Sequence, residues 1–210
     1  MELIYNNQFS IFEDIFHKYL SHRQCTKFYS STKQFNNIYL NNSKFDNNHF
    51  TPKEYYDFII AINMWFSNKR KAILTYGHIS YWNTIYIINM YGLFMQMKDF
   101  NDEISDWNTS NVINMEYCFA HCKIFNQPIN NWNISNVKTI SQIFQGCTNF
   151  NQPLNNWDTS NIINMNYMFY NTKEFNQSIN EWNISNLQTM HRMFDLAEKF
   201  NPINCNWAIK

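Results

Sequence analysis

The side chains best suited to hold a metal or form a covalent link are Cys118, His121, Cys122 and Cys147, the one cluster of metal-capable groups in the chain. Cys122 and Cys147 stand 25 residues apart, in equivalent places of a repeating sequence. Neighbours in that register can close a disulfide or share a zinc ion with Cys118. The next two units carry Thr172 and Ala197 at the same place. That substitution pattern marks a core position for a small side chain, where free cysteine packs as a compact apolar group. Core packing is therefore the expected role, with no metal and no cofactor. Cys25 and Cys205 stand alone.

Two further kinds of chemistry fare no better. Asn-x-Ser/Thr triplets at Asn108, Asn133, Asn176 and Asn183 are glycan acceptors in exported proteins. Here they arise from the repeat, and the hydroxyl residues read more simply as helix caps. Carboxylates are sparse and pair with no histidine in a way that recurs, whereas an enzyme needs perturbed groups converging on a pocket. The expectation is a protein that is not an enzyme.

The elements that place these residues come from a 25-residue period. Tryptophan recurs at Trp82, Trp107, Trp132, Trp157, Trp182 and Trp207, and a Phe-Asn pair at Phe100, Phe125, Phe150, Phe175 and Phe200, without a slip. A fixed period of 20 to 50 residues marks a solenoid, each unit covering the apolar face of the next. One unit cannot fold alone, because its handful of large apolar side chains does not offset an ordering cost of roughly 1.5 kcal/mol per residue. Val112, Met115, Phe119 and Cys122, like Ile162, Met165, Phe169 and Thr172 two units on, follow helical spacing, and Ser110 stands where an N-cap belongs. The pattern predicts one short helix per unit and one short extended strand at 101–104, 126–129, 151–154 and 176–179. Asn101, Asn126, Asn151, Asn176 and Asn201 are expected to stack as a ladder of buried amides. With only three glycines, against about 7% in average composition, asparagine is expected to take the left-handed turn positions.

Ahead of the array, Thr51-Pro52-Lys53-Glu54 reads as a capping box with proline at N1. It predicts a helix to about Lys69, carrying Tyr55, Phe58, Ile59, Ile62, Trp65 and Phe66 on one side. The basic run Lys69-Arg70-Lys71 would complement that helix's C-terminal dipole. Residues 41–50 read as an Asn-rich linker, and 6–40 as helical. The division expected is a helical N-terminal region, 1–75, capping a five-repeat α/β solenoid, 76–210.

Sixteen acidic and sixteen basic side chains leave zero formal net charge, so no whole-molecule field favours nucleic acid or an anionic membrane. Five cysteines without a paired spacing scheme do not read as a secreted disulfide framework. The N-terminus shows no signal-peptide pattern, and no apolar run is long enough to span a bilayer. The reading is a cytoplasmic protein, in the host-cell cytoplasm if viral.

The unit Phe-Asn-Gln-Pro-Leu-x-x-Trp-Asp-Thr-Ser-Asn-Ile-x-x-Met-x-x-Met-Phe at Phe150 to Phe169 resembles the repeat of the BspA-like leucine-rich-repeat family. That resemblance implies a right-handed repeat solenoid that binds other proteins or matrix and carries no catalytic residues. Many relatives are exported adhesins, a role for which this N-terminus shows no signal. The segment Asp14 to Leu20, followed by Lys33-Gln34-Phe35-Asn36-Asn37-Ile38, resembles an F-box, without the Leu-Pro opening of that family. The F-box resemblance implies an alternative function, a substrate adaptor of a cullin ubiquitin ligase.

Positions that stay fixed between units are scaffold, and those that change are free to specify a partner. The changing ones are Glu116, Tyr117, His121, Lys123, Gln142, Asn166, Tyr167, Lys173, Glu174, His191 and Arg192. They are expected to line one side of the array, on the outer helix surface and the loop that follows, and to dock a protein partner. The last tryptophan is followed by no helix of its own, which predicts weak end-to-end self-association through the C-terminal end.

Overall fold

A computed structural model describes residues 49–207. The F-box-like segment at 6–40 lies outside the described residues. Helix α1, Tyr55–Ser67, and helix α2, Lys69–Tyr76, open the described chain. They share one compact unit, His49–Lys210, with the repeats, so the break in packing falls at 48/49 and not at 75/76. Phe58, Ile59, Ile62 and Trp65 recur on one face of α1, and all are buried. Asn68 (φ −154°) ends α1, and its Oδ1 accepts from the Lys71 N–H at 3.0 Å to cap α2.

The capping box at Thr51 does not form. Glu54, in an extended conformation, precedes the first helical residue, and Thr51 Oγ1 donates to the His49 carbonyl instead. The reason lies one residue earlier. The Phe50 carbonyl accepts from the Asn83 N–H at 2.9 Å, and the Phe50 ring packs against Tyr76 and Trp82, with centroids at 4.5 and 5.3 Å. Residues 51–53 are used in climbing from that anchor to the helix. The basic run Lys69-Arg70-Lys71 is likewise displaced, standing in the first turn of α2, where the dipole opposes it. Lys69 is compensated by Asp102, at 2.6 Å, and by the Trp65 ring beneath its ammonium, 4.6 Å from the centroid.

From Trp82 the chain forms five 25-residue units, 82–106, 107–131, 132–156, 157–181 and 182–206. Parallel bridges tie Asn89 to Asn114, Asn114 to Thr139, Thr139 to Asn164 and Asn164 to Thr189. Beyond each bridge alternate amides keep crossing to the next unit. Those of Met90, Gly92, Phe94 and Gln96 donate to the carbonyls of Asn114, Glu116, Cys118 and Ala120 at 2.8–2.9 Å. The same four positions do so at every later interface. Intervening amides bond back three residues, Leu93 to Met90, Met95 to Gly92 and Met97 to Phe94. Each unit is thus a run of overlapping four-residue turns knitted to its neighbour.

That arrangement replaces the helix expected at 112–122 and its counterparts. In the interior Val112, Met115, Cys118, Phe119 and Cys122 are all buried, a spacing of three and four that overlapping turns share with a helix. The hydrogen-bond destination separates the two, since the Phe119 amide bonds to the Ile143 carbonyl at 3.0 Å, while a helix would send it four residues back. Nor does Ser110 cap anything; its N–H is itself held by Asn108 Oδ1 at 3.0 Å. The turns need positive φ at two places per unit, and mostly residues other than asparagine take them: Gln96, Tyr117, His121, Gln142, Tyr167, Asn171, Arg192 and Leu196, with Gly92 and Gly146. Tyr117 and Gly92 stand third in their turns, the place that type II turns reserve for positive φ.

The strand expected at 101–104 is also absent. Units are joined there by side chains, the amides of Asn126, Asn151, Asn176 and Asn201 each donating to Oδ1 of the asparagine one unit earlier at 2.8–3.0 Å. The ladder runs from side chain to backbone, and its members are exposed or half-buried. Because no backbone ladder runs through this segment, Pro128 and Pro153 take no donor away from one.

Three columns of rings fill the interior. Phe94, Phe119, Phe144, Phe169 and Phe194 follow one another at 5.4–5.9 Å between centroids. Phe100, Phe125, Phe150, Phe175 and Phe200 follow at 5.7–6.2 Å. Within a unit the two phenyls stack at 3.9–4.0 Å. In the third column Trp107, Trp132, Trp157 and Trp182 are buried, and each indole N–H donates to the carbonyl of the residue 28 positions earlier at 2.9–3.0 Å. Burying a tryptophan without such a partner would leave a donor unsatisfied. At the N-terminal side α1 closes the columns, Phe58 meeting Trp107 at 5.1 Å and Phe66 meeting Phe100 at 5.6 Å.

Candidate interaction surface

The variable side chains stand on the turn run, since no helix is there to carry them. Glu116, Tyr117, His121, Gln142, Asn166, Tyr167 and Glu174 are half-buried, and Lys123, Lys173, His191 and Arg192 are exposed. The turns bring side chains of successive units together. The Tyr117 ring lies 5.5 Å from Tyr91, and Tyr167 lies 5.7 Å from His191. Asn166 Oδ1 accepts from both the His191 N–H and the Thr189 hydroxyl at 2.6 Å. Lys173 pairs with Glu198 at 2.6 Å, Glu174 with Lys199 at 2.5 Å, and Arg192 with Asp195 at 3.6 Å. Part of the variable set therefore works as coil-to-coil fastening, and such exposed pairs contribute little stability each. Tyr117, Gln142, Tyr167 and Arg192 also share the left-handed backbone position.

His121 sits in an altered environment. Burial, helped by Lys123 and Lys98, holds its imidazole below the usual pKa. Gly146 occupies the equivalent position one unit on, with φ +70°, and a Cβ there would come 2.5 Å from His121 Nδ1. The histidine ring fills the space that every other residue type at 146 would need. Burial alone raises the Glu116 carboxyl above its ordinary value. No catalytic hydrogen-bond chain links these groups among the described residues.

The cysteine column resolves differently from a metal site. Cys118, Cys122 and Cys147 are buried free thiols, and Cys205 is buried as well. Cys122 Sγ donates to the Phe94 carbonyl and Cys147 Sγ to the Phe119 carbonyl, both at 2.9 Å, and Thr172 Oγ1 donates to the Phe144 carbonyl at 2.8 Å. The column is a repeated donor to a carbonyl 28 residues back. Desolvation pushes the thiols of Cys118, Cys122 and Cys147 up in pKa, against the thiolate that a metal ligand requires. Sequence reasoning found the column but not its hydrogen bond; the recurrence of a hydroxyl at Thr172 was the available signal.

Among the described residues no helix is long and apolar enough to cross a membrane. Comparison with curated proteins and with solved structures brings no match. The repeat array does match a family model, over residues 60–159 and again over 128–210. With most of its length covered in this way, the chain belongs to the family described as Mycoplasma protein of unknown function, DUF285.

Proposed function

We propose that this chain is a non-enzymatic protein-interaction scaffold whose 25-residue units coil as a repeat solenoid of the BspA-like leucine-rich-repeat type. The observation that carries the reading is a contrast between columns. Inside, the same Trp and Phe recur in every unit and stack ring on ring. Outside, the left-handed position of the turn run holds Gly92, Tyr117, Gln142, Tyr167 and Arg192 in turn. A fold that repeats its interior and varies one surface lane presents a graduated set of side chains along one lane, which is how repeat proteins display binding surfaces. Tyrosines and arginine are the side chains most often found at the energetic centre of interfaces. The compatibility of the family match with BspA-like repeats supports the finer assignment.

The test is a binding screen with the wild-type chain and with the charge reversals Lys123→Glu and Arg192→Glu. Loss of wild-type partners in the double variant, with its thermal midpoint unchanged, supports the reading. An unchanged partner set in a folded variant overturns it.

A further inference from the structure

In the loop that follows each turn run, one column reads Lys98, Lys123, Thr148, Lys173 and Glu198. Bonds between coils hold its members side by side. The Ile124 N–H donates to the Lys98 carbonyl at 3.3 Å, and the Asn149 N–H to the Lys123 carbonyl at 3.1 Å. Later in the column charge is matched, Lys173 pairing with Glu198 at 2.6 Å and the adjacent Glu174 with Lys199 at 2.5 Å. In the first two units it is not. There Lys98 meets Lys123, a like charge where Lys173 meets a carboxylate, and neighbouring like charges repel. Both lysines are exposed, and among the described residues neither ammonium has an ion-pair partner. Their backbone N–H groups donate to no carbonyl among the described residues. His121 completes the cluster. The Gln96 N–H donates to the Ala120 carbonyl at 2.8 Å, which sets this stretch against the coil that carries Lys98. Burial weighs most on the His121 imidazole, and Lys123 and Lys98 both act on it. The missing side chain at Gly146 gives the ring its place.

We propose that Lys98, Lys123 and His121 form a binding site for a phosphate dianion, free or esterified. A single carboxylate would offset one of the two ammoniums and leave the other unmatched. A phosphate monoester carries about −1.5 to −2 charges at pH 7 and three acceptor oxygens, enough for both ammoniums and an imidazole N–H. Lysine serves phosphate as a point charge, without the fixed fork that arginine needs. The site rests on the reading of the variable surface, to which His121 and Lys123 belong, as a binding one, and it names the chemistry taken up there.

The experiment follows the His121 imidazole of the full chain by NMR at constant ionic strength, so that screening stays the same. Three additions are compared: inorganic phosphate, a short phosphoserine peptide and the same peptide unphosphorylated. A bound dianion should raise the His121 pKa by about 1. Lys98→Gln and Lys123→Gln should each weaken phosphate binding about tenfold or more, with the thermal midpoint unchanged. Lys138→Gln, which removes an equal charge from an exposed lysine bonded to Asn161, should leave binding as it is. A response to the phosphoserine peptide assigns the site to a phosphorylated side chain, and a response to inorganic phosphate alone assigns it to the free ion. Three outcomes overturn the proposal: no movement of His121 with either phosphate source, an equal response to the unphosphorylated peptide, or equal weakening by Lys138→Gln. If His121 stays unmoved while the binding screen finds partners, this site alone falls; if phosphate moves it and the screen finds none, the protein-scaffold reading falls.

Discussion

Thr172 stands where Cys122 and Cys147 stand in the two preceding units, and all three donate to a phenylalanine carbonyl 28 residues back. Removing a donor is therefore worse than exchanging one. Cys147→Thr keeps a donor and should change stability by less than about 1 kcal/mol, whereas Cys147→Ala removes the second donor to the Phe119 carbonyl, which keeps the Cys122 N–H, and leaves a void beside it, costing about 1–2 kcal/mol; urea denaturation of the two variants decides. The same thiols set a pH dependence. Their pKa values are raised by burial, so above the unfolded thiol value of about 8.5 the unfolded chain releases protons that the folded chain retains. Stability should be level below that pH and fall above it, by up to about 1.4 kcal/mol per pH unit for each thiol. A denaturation midpoint that does not fall between pH 8 and 10 would contradict the burial. Gly146 is tied to His121 in a comparable way. Gly146→Ala meets both a positive φ and a Cβ position 2.5 Å from Nδ1. It should destabilise by about 1–3 kcal/mol, with part of the loss recovered when His121→Ala is added, since the two positions share one space.

At the scale of elements, α1 seals the N-terminal side of the ring columns with Phe58, Trp65 and Phe66. The Trp65 indole donates to Asp102 Oδ2 at 2.7 Å, beside the Lys69 ammonium on Oδ1. Trp65→Ala should cost about 3–5 kcal/mol and speed amide exchange in unit 82–106 well before unit 132–156, because each unit leans mainly on its neighbours. Uniform acceleration across all units would contradict that. Here the sequence was informative about α1, whose apolar face Phe58, Ile59, Ile62 and Trp65 is plain in the pattern, and about the ring columns, whose period never slips. It misled about the turn run. Val112, Met115, Phe119 and Cys122 recur at helical intervals, yet the same intervals serve overlapping turns, and apolar spacing carries no information on where an amide sends its bond. Large side chains at left-handed positions, Tyr117 and Tyr167 among them, were equally invisible. Such conformations are uncommon for bulky residues and persist here because the cross-unit bonds on either side fix the backbone.

For the whole molecule, stability should be distributed by position in the array. Phe144 is fully buried between Phe119 and Phe169, while Phe194 has one such neighbour and stays half-buried. Phe144→Ala should cost about 3–5 kcal/mol and Phe194→Ala distinctly less; equal losses in calorimetry would mean that the columns do not act as stacked neighbours. How much of the candidate surface was readable follows from the same division. The variable positions could be picked out by comparing units, but not their use in fastening units together, since Asn166 Oδ1 and the Lys173–Glu198 pair depend on a register that only the fold supplies. All of this rests on amides that cross from one coil to the next. Scalar couplings through hydrogen bonds, read by NMR on isotope-labelled protein, report that destination directly. The account predicts a cross-peak from the Phe119 amide to the Ile143 carbonyl, and a cross-peak to the Met115 carbonyl, four residues back as in a helix, would contradict it.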